Sequence, residues 1–484
     1  MVELGNQQSA EVPPSSPRAQ AGPLWVFSFR GLVVLGVVVG MGLLGFGVAR
    51  WAGRPREVVS GPDGSQVAGS QPGQQSSPPA PDPPVPETAS DIKHEVHQAA
   101  EQLAQRYPDS PAALAVLARV QRLSGKTAEA DRTWRRVVEL DPAWFDAYLE
   151  MAQAAQRRGD FAEAAALAQK ALQYDPYHLE ARNLWANALL SQQDAPKAIA
   201  VLEGHLIKVR AAAGSFFLLG QAYLQQKEYA KARDALATAV ELDPEHAQAH
   251  YALATACDRL GRTDEAARYR ETCKKLQAQQ RATEAEALRV EDVVYVRRAA
   301  ASIYTAAGHI YSDHGEPSQA ESCWRRAASL DAADPVSRQA LANLCQLAGR
   351  LDDALRWTQQ LREIQPNCLE HCWVAGLLRL RLGRFDEAEA DFRSLIAAAP
   401  ERAGPYAMLA QLLVGTHRDP VQARELAQKA VQLEPSAENY LVLSVACAEN
   451  QDMANALAAA QQGLRIEPRH PRLLKMYDML RAKK

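Results

Sequence analysis

Residues 213–246 read AGSFFLLGQAYLQQKEYAKARDALATAVELDPEH, and the fold is decided by how this stretch recurs. Its Ala232 has counterparts at Ala130, Ala164, Ala198 and Ala266, each 34 residues from the next. After a gap of 54 the series resumes at Ala320, Ala354, Ala388, Ala423 and Ala456, at spacings of 34, 34, 35 and 33. A second series runs through Pro108, Pro142, Pro176, Pro244, Pro366, Pro400, Pro435 and Pro468. Self-similarity at this fixed period predicts a stacked array of two-helix units.

Within each period the small residue at the eighth position is Ala118, Ala152, Ala186, Gly220, Ala254, Gly308, Ala342 or Gly376. The alanine of the series follows on the second helix, so small residues at both places let two antiparallel helices approach closely. Gly125, Gly159, Gly261, Gly315, Gly349 and Gly383 fall between the helices, where the first must stop. The prolines end each second helix or open the next first helix. One pair cannot bury its apolar face alone, so the core must run continuously along the stack.

The period carries a pattern W-x2-L-G-x2-Y…A-x3-F…P. In residues 213–246 it is Phe216, Leu219, Gly220, Tyr223, Ala232, Leu236 and Pro244; later it is Tyr304, Ala307, Gly308, Tyr311, Ala320 and Trp324. The chain therefore resembles the tetratricopeptide repeat family over roughly residues 111–470. The resemblance implies an all-α superhelical solenoid of about ten helix-turn-helix repeats. The expected layout is a helix over 91–110 capping the near end, five units over 111–280, a helical insertion over 281–300, five units over 301–470 and a closing helix over 471–484. From Thr263 to Ala307 there is neither Gly nor Pro, which predicts elongated helices around the insertion, either as a partner-binding fin or as a tolerated addition.

A leader precedes the array. Residues 1–23 are polar and proline-bearing and are expected to be disordered. Gly31 to Ala49 carry no charged or polar side chain, and with Trp25 and Trp51 at the flanks residues 24–51 read as a single transmembrane helix. A cleaved signal peptide and a buried soluble helix are the competing readings; the long polar stretch ahead argues against the first, and the lack of a polar face against the second. Arg18 and Arg30 precede the span and Arg50, Arg54 and Arg56 follow it, which leaves the side of the repeats open. Gly36 and Gly40 have the spacing with which two membrane helices pair as a homodimer, although glycine is frequent throughout this segment. Residues 52–90, rich in Pro, Gly, Ser and Gln, read as a disordered linker of about 35 Å mean reach.

Net charge is −3 over 484 residues, with no basic run inside the array, so composition gives no reason to expect nucleic acid. Seven cysteines without paired spacing are not a disulfide framework. Cys368, His371 and Cys372 cluster, but no second ligand pair accompanies them, and they read as packing residues; no metal and no cofactor is expected. No nucleotide-binding glycine loop, H-E-x-x-H or G-x-S-x-G occurs, and no catalytic residue is assigned; the protein is not expected to be an enzyme.

The resemblance also implies where partners bind. In the family the fifth and ninth positions of each first helix line a concave groove. These positions nominate Asn183, Asn187, Phe217, Gln221, Tyr251, Thr255, His309, Asn343 and Trp373 as partner-binding residues. Carboxamides offer donors and acceptors to a peptide backbone, and exposed rings anchor side chains. No Lys stands at a fifth position ahead of Asn187, which argues against a clamp for C-terminal carboxylates. The expectation is a membrane-tethered scaffold for protein partners, presented as extended segments or helices. The alternative is a non-catalytic regulatory or assembly subunit of a membrane enzyme complex, for example in envelope polymer synthesis or secretion.

Overall fold

The structure is a computed structural model that describes residues 84–206, 212–287 and 291–482. The polar tail, the apolar span with its Gly36–Gly40 step, and the linker up to residue 83 lie outside the described residues. Among those described there are 22 helices and no strand, and no helix is long and apolar enough to cross a membrane. The described residues up to His371 form one compact unit and those from Cys372 onward another.

The first unit opens with α1 (Ala89–Arg106). Helix pairs follow: α2 (Pro111–Leu123) with α3 (Thr127–Leu140), α4 (Phe145–Arg158) with α5 (Phe161–Tyr174), and α6 (Leu179–Ser191) with α7 (Ala195–Leu206). Next come α8 (Ala213–Gln225) with α9 (Tyr229–Leu242), and α10 (Ala247–Arg259) with the long α11 (Thr263–Ala287). The long α12 (Glu291–Asp313) pairs with α13 (Pro317–Leu330), and α14 (Pro335–Leu347) with α15 (Leu351–Ile364). α16 (Leu369–Arg381) leads into the second unit, which holds α17 (Phe385–Ala398), α18 (Ala403–Gly415), α19 (Pro420–Leu433), α20 (Ala437–Glu449), α21 (Met453–Ile466) and α22 (Pro471–Ala482).

Local chemistry sets these boundaries. Thr88 caps α1: its hydroxyl accepts from the Asp91 amide at 3.1 Å, so the helix starts ahead of residue 91. The turn between the helices of a pair needs one left-handed residue. Gly125, Gly159, Gly261, Gly315, Gly349 and Gly383 supply it, and Gln193, Lys227, His417 and Gln451 adopt the same positive φ at the corresponding places.

The alanine series is buried throughout, with Ala164, Ala232, Ala320 and Ala388 fully inaccessible. The eighth position is small because the second helix drives its largest side chain against it. A Cβ on Gly220 would stand 2.7 Å from Leu236 Cδ2, and one on Gly376 would stand 2.9 Å from Phe392 Cε1. On Gly308 it would land on the Trp324 ring, 2.8 Å from Cε2. A methyl group cannot fit at such distances without displacing the ring.

Successive pairs stack through shared apolar clusters. One joins Ala186, Leu189 and Leu202 to Leu218, Leu236, Leu253 and Ala266, running from α6 to α11. The stacking order then departs from the chain order. The cluster that holds α12 through Val296, Ala300, Ile303 and Tyr304 is completed by Ile92, Val96, Ala100 and Leu103 of α1, by Ala113 and Val116 of α2, and by α13. The sixth pair thus stacks on α1 and α2, and α1 does not end the stack as a free cap: it is covered on both sides. Residues 89–313 form a closed circuit, joined by packing between α1 and α12 and by the chain between α11 and α12.

The reason is visible in α11. Where other second helices carry Trp134, Ala168, Leu202, Leu236 or Trp324, α11 carries Arg270, exposed and paired with Asp258. Lys274, Lys275 and Gln277 to Arg281 are exposed as well. A helix polar on nearly all sides offers no face for another repeat to cover.

Candidate partner-binding groove

First helices pack on first helices of neighbouring repeats, α4 on α6, α6 on α8 and α8 on α10. Their fifth and ninth positions, where the resemblance expects partners to bind, therefore follow one another from repeat to repeat along neighbouring helices. The nominated residues of the first unit occupy these helices in order: Asn183 and Asn187 on α6, Phe217 and Gln221 on α8, Tyr251 and Thr255 on α10, His309 on α12 and Asn343 on α14. Trp373 belongs to the second unit, half-buried, with its ring edge-on to Phe392 at 5.7 Å and its tip against Gly404.

Several of these side chains already serve the stack. The Ser215 hydroxyl donates to Asn183 Oδ1 at 2.8 Å, tying α6 to α8. Gln153, at the equivalent ninth position one repeat earlier, donates to Glu180 Oε1 at 2.7 Å, and Arg119 pairs with Asp146 at 2.7 Å. Gln339 donates to Asn343 Oδ1 at 3.0 Å along one helix. Phe217 is half-buried against the apolar cluster and lies 4.7 Å from the His246 ring, whose own Nδ1 caps α10 by accepting from the Ala249 amide at 3.2 Å. Thr255 turns its hydroxyl back to the Tyr251 carbonyl at 3.0 Å. His309 packs edge-on to Trp324, and burial pushes its pKa below the ordinary histidine value.

Three nominated residues remain uncommitted. Asn187 and Gln221 have no hydrogen-bond partner among the described residues, and Tyr251 is 61% exposed, a large ring left in water. They stand on the first helices of three consecutive repeats, α6, α8 and α10. This trio offers two amides able to donate and accept toward a backbone and one ring able to cover an apolar side chain.

The cysteine–histidine cluster separates into individual contacts. His371 Nε2 meets Gln365 Oε1 at 2.9 Å, Cys368 Sγ lies 3.8 Å from Glu370 Oε2, and buried Cys372 donates toward the Asp391 carbonyl at 3.7 Å. Among the described residues no group of three or more His, Cys, Asp and Glu is placed to hold a metal ion.

Two family models, each described as a tetratricopeptide repeat, match this chain, one over residues 217–271 and 374–437 and the other over 155–212. It is a tetratricopeptide repeat protein. A human relative, tetratricopeptide repeat protein 7B, is 27% identical over 140 residues, which are 28% of this chain and 16% of that protein. The repeat protein thus spans well under two thirds of that relative. Among solved structures, MamA 41-end from Desulfovibrio magneticus RS-1 is 23% identical, covering 40% of this chain and 99% of that one, with a TM-score of 0.30. Yeast Tom70 is 16% identical over 81% of this chain and 95% of its own, with a TM-score of 0.31.

The repeat protein also holds turn-stabilising geometry that its sequence pattern did not reveal. Near the start of a first helix, one side chain reaches back to the preceding inter-repeat turn. The Tyr148 hydroxyl donates to the Pro142 carbonyl at 3.1 Å, Arg182 donates to the Pro176 carbonyl, and His250 Nε2 meets the Pro244 carbonyl at 2.9 Å. Arg338 donates to the carbonyls of Ala328, Asp331 and Asp334 at 2.7–3.0 Å. For Tyr148, Arg182 and His250 the signal was present as a polar or tyrosyl residue six positions after a proline of the series; Arg338 has no such proline before it.

Proposed function

We propose that this protein is a membrane-tethered scaffold that holds extended protein segments against the first helices of repeats three to five. A tetratricopeptide array is a protein-interaction scaffold as a class, and proteins of this kind are generally non-catalytic. The tether rests on the apolar run of residues 24–51. The observation that carries the site is the exposed Tyr251 ring, one repeat along from the uncommitted amide of Gln221 and two from that of Asn187. A partner backbone lies on the amides, and one of its apolar side chains covers the ring.

The test is co-purification of partners from solubilised membranes with the parent chain and with Tyr251→Ala. Loss of an interface ring at a binding hot spot costs about 2 kcal/mol or more, about thirtyfold in affinity. The folded chain should keep its stability within about 0.5 kcal/mol, because the ring is exposed. Phe217→Ala serves as the control: its ring is half-buried, so it should lower the melting temperature. Unchanged capture by Tyr251→Ala would place the partner surface elsewhere. Retention of the chain in carbonate-washed membranes tests the tether, and a mature N-terminus at Arg50 would remove it.

A further inference from the structure

The circuit formed by residues 89–313 is closed by one joint that no repeat supplies. α1 lies between α2, its neighbour in sequence, and the α12–α13 pair, about two hundred residues away. Its apolar stripe, Ile92, Val96, Ala100 and Leu103, is buried in the cluster completed by Val296, Ala300 and Ile303.

Charged groups hold both ends. Near the start of α1, Arg326 Nε donates to Glu95 Oε1 at 2.7 Å, its Nη2 pairs with Glu95 Oε2, and the Tyr304 hydroxyl donates to Glu95 Oε1 at 2.7 Å. The extended residues ahead of the helix join this grip: the Pro84 carbonyl accepts from Arg326 at 3.3 Å and the Pro86 carbonyl from Arg297 at 3.1 Å. At the other end the Tyr107 hydroxyl and Arg106 both donate to Glu316 Oε1, at 2.7 and 2.8 Å, and the Tyr107 and His314 rings lie 3.9 Å apart.

We propose that α12–α13 is a binding site for an amphipathic helix bearing a carboxylate near its start, and that α1 occupies this site in cis as a latch. Unlatching parts repeats six and seven from repeats one to five while each stack stays folded. The proposal stands apart from the groove reading, since none of its contacts uses Asn187, Gln221 or Tyr251.

Three features separate a latch from ordinary repeat stacking. The joints within repeats three to five rest on apolar clusters with hydrogen bonds such as Ser215 to Asn183 and Tyr223 to Glu203 beside them, whereas this one places a buried guanidinium, Arg326 at 7% exposed, against a carboxylate. A buried ion pair adds less net stability than apolar contact of equal size, yet it penalises every mismatched occupant and register. The partners, moreover, come from opposite ends of the first unit, so neither is needed to build the other's stack. Finally, the apolar cluster that holds α11 draws on α6 to α10, and the one that holds α12 draws on α1, α2 and α13. Across the α11–α12 link, stacking of the regular kind is replaced by the latch.

The experiment is hydrogen exchange of the full chain, read by mass spectrometry, for Glu95→Arg, Arg326→Glu and the two together. Each single reversal should raise exchange by about tenfold in residues 89–106 and 297–310, with α4 to α9 within about twofold of the parent. The double reversal should bring both segments back to within about threefold of the parent, because the pair is restored with its charges exchanged. The milder Glu316→Gln, at the exposed end of the joint, should raise exchange by about threefold in residues 103–107 alone. An even rise across all repeats would overturn the proposal by showing one cooperative fold. So would unchanged exchange in residues 89–106, or a double reversal no better than the single ones.

Discussion

The joint between α9 and α10 and the joint between α1 and α12–α13 do the same mechanical task with different chemistry. The first is built from Leu236, Ala235, Leu253 and Ala256, side chains that recur with the period and meet their neighbours in the next repeat. The second relies on Glu95 meeting Arg326 and Tyr304 and on Glu316 meeting Arg106 and Tyr107, groups that lie far apart in the chain and meet across most of the first unit. Periodic apolar joints form wherever two repeats are adjacent in the chain. A charged joint forms only between the two partners whose groups match, and it can fix a contact that the period would not create.

The comparison can be broken most forcefully on its apolar side. Leu236→Ala empties a fully buried site facing Gly220 and should cost about 2–5 kcal/mol in urea unfolding. A smaller loss would mean that the stack collapses around the cavity and that apolar joints are softer than their packing implies. Next, Gly308→Ala asks whether repeat six is as tightly closed as repeat four. Its Cβ would land on the Trp324 ring, and overpacking of this kind costs about 1–3 kcal/mol in thermal unfolding. A neutral result would show that α12 and α13 can separate slightly while the latch stays shut.

A change of opposite sign comes from the turns. Lys227 holds a left-handed φ of 61°, where other repeats have glycine. Lys227→Gly should raise stability by about 1 kcal/mol or less, since relief of the strained backbone exceeds the entropy that glycine adds to the unfolded chain. The smallest effect concerns pH. Burial works against the Glu95 charge, but the hydrogen bonds from Arg326 and Tyr304 outweigh it and hold its pKa below the usual carboxylate value. A depressed carboxylate contributes stability that is fully present above the unfolded value of about 4.3 and is lost as pH falls through the folded one. Exchange protection of α1 should therefore weaken on acidification below that point, and Glu95→Gln should flatten this dependence.

Much of this was legible in the chain. The alanine and proline series placed the helix pairs, and the eighth-position glycines marked where Leu236, Trp324 and Phe392 press in. The left-handed turn was legible at Gly125 and Gly159 but not at Gln193 or Lys227, which keep the geometry without its usual residue. For the nominated partner-binding residues, position alone was legible. Whether an amide at that position faces a partner or a neighbouring repeat depends on what stands opposite it. Ser215 takes up Asn183 and Gln339 takes up Asn343, whereas Asn187 and Gln221 are left unbound.

By itself, then, the sequence determined everything that depends on one period: the helix pairs, their close approach, their turns, and the apolar faces that make each repeat stack on the next. Those interactions join residues a few turns or one repeat apart, and their pattern is therefore written at a fixed spacing. Only the tertiary structure decided that, among the described residues, α12 stacks on α1 and α2 and not on α11. That choice joins α12 and α13 to a helix about two hundred residues upstream, and a contact at such a separation leaves no periodic trace. Its physical basis is desolvation: Arg270 and the lysines after it keep α11 in water, while Arg326 enters the interior because Glu95 is there to meet it.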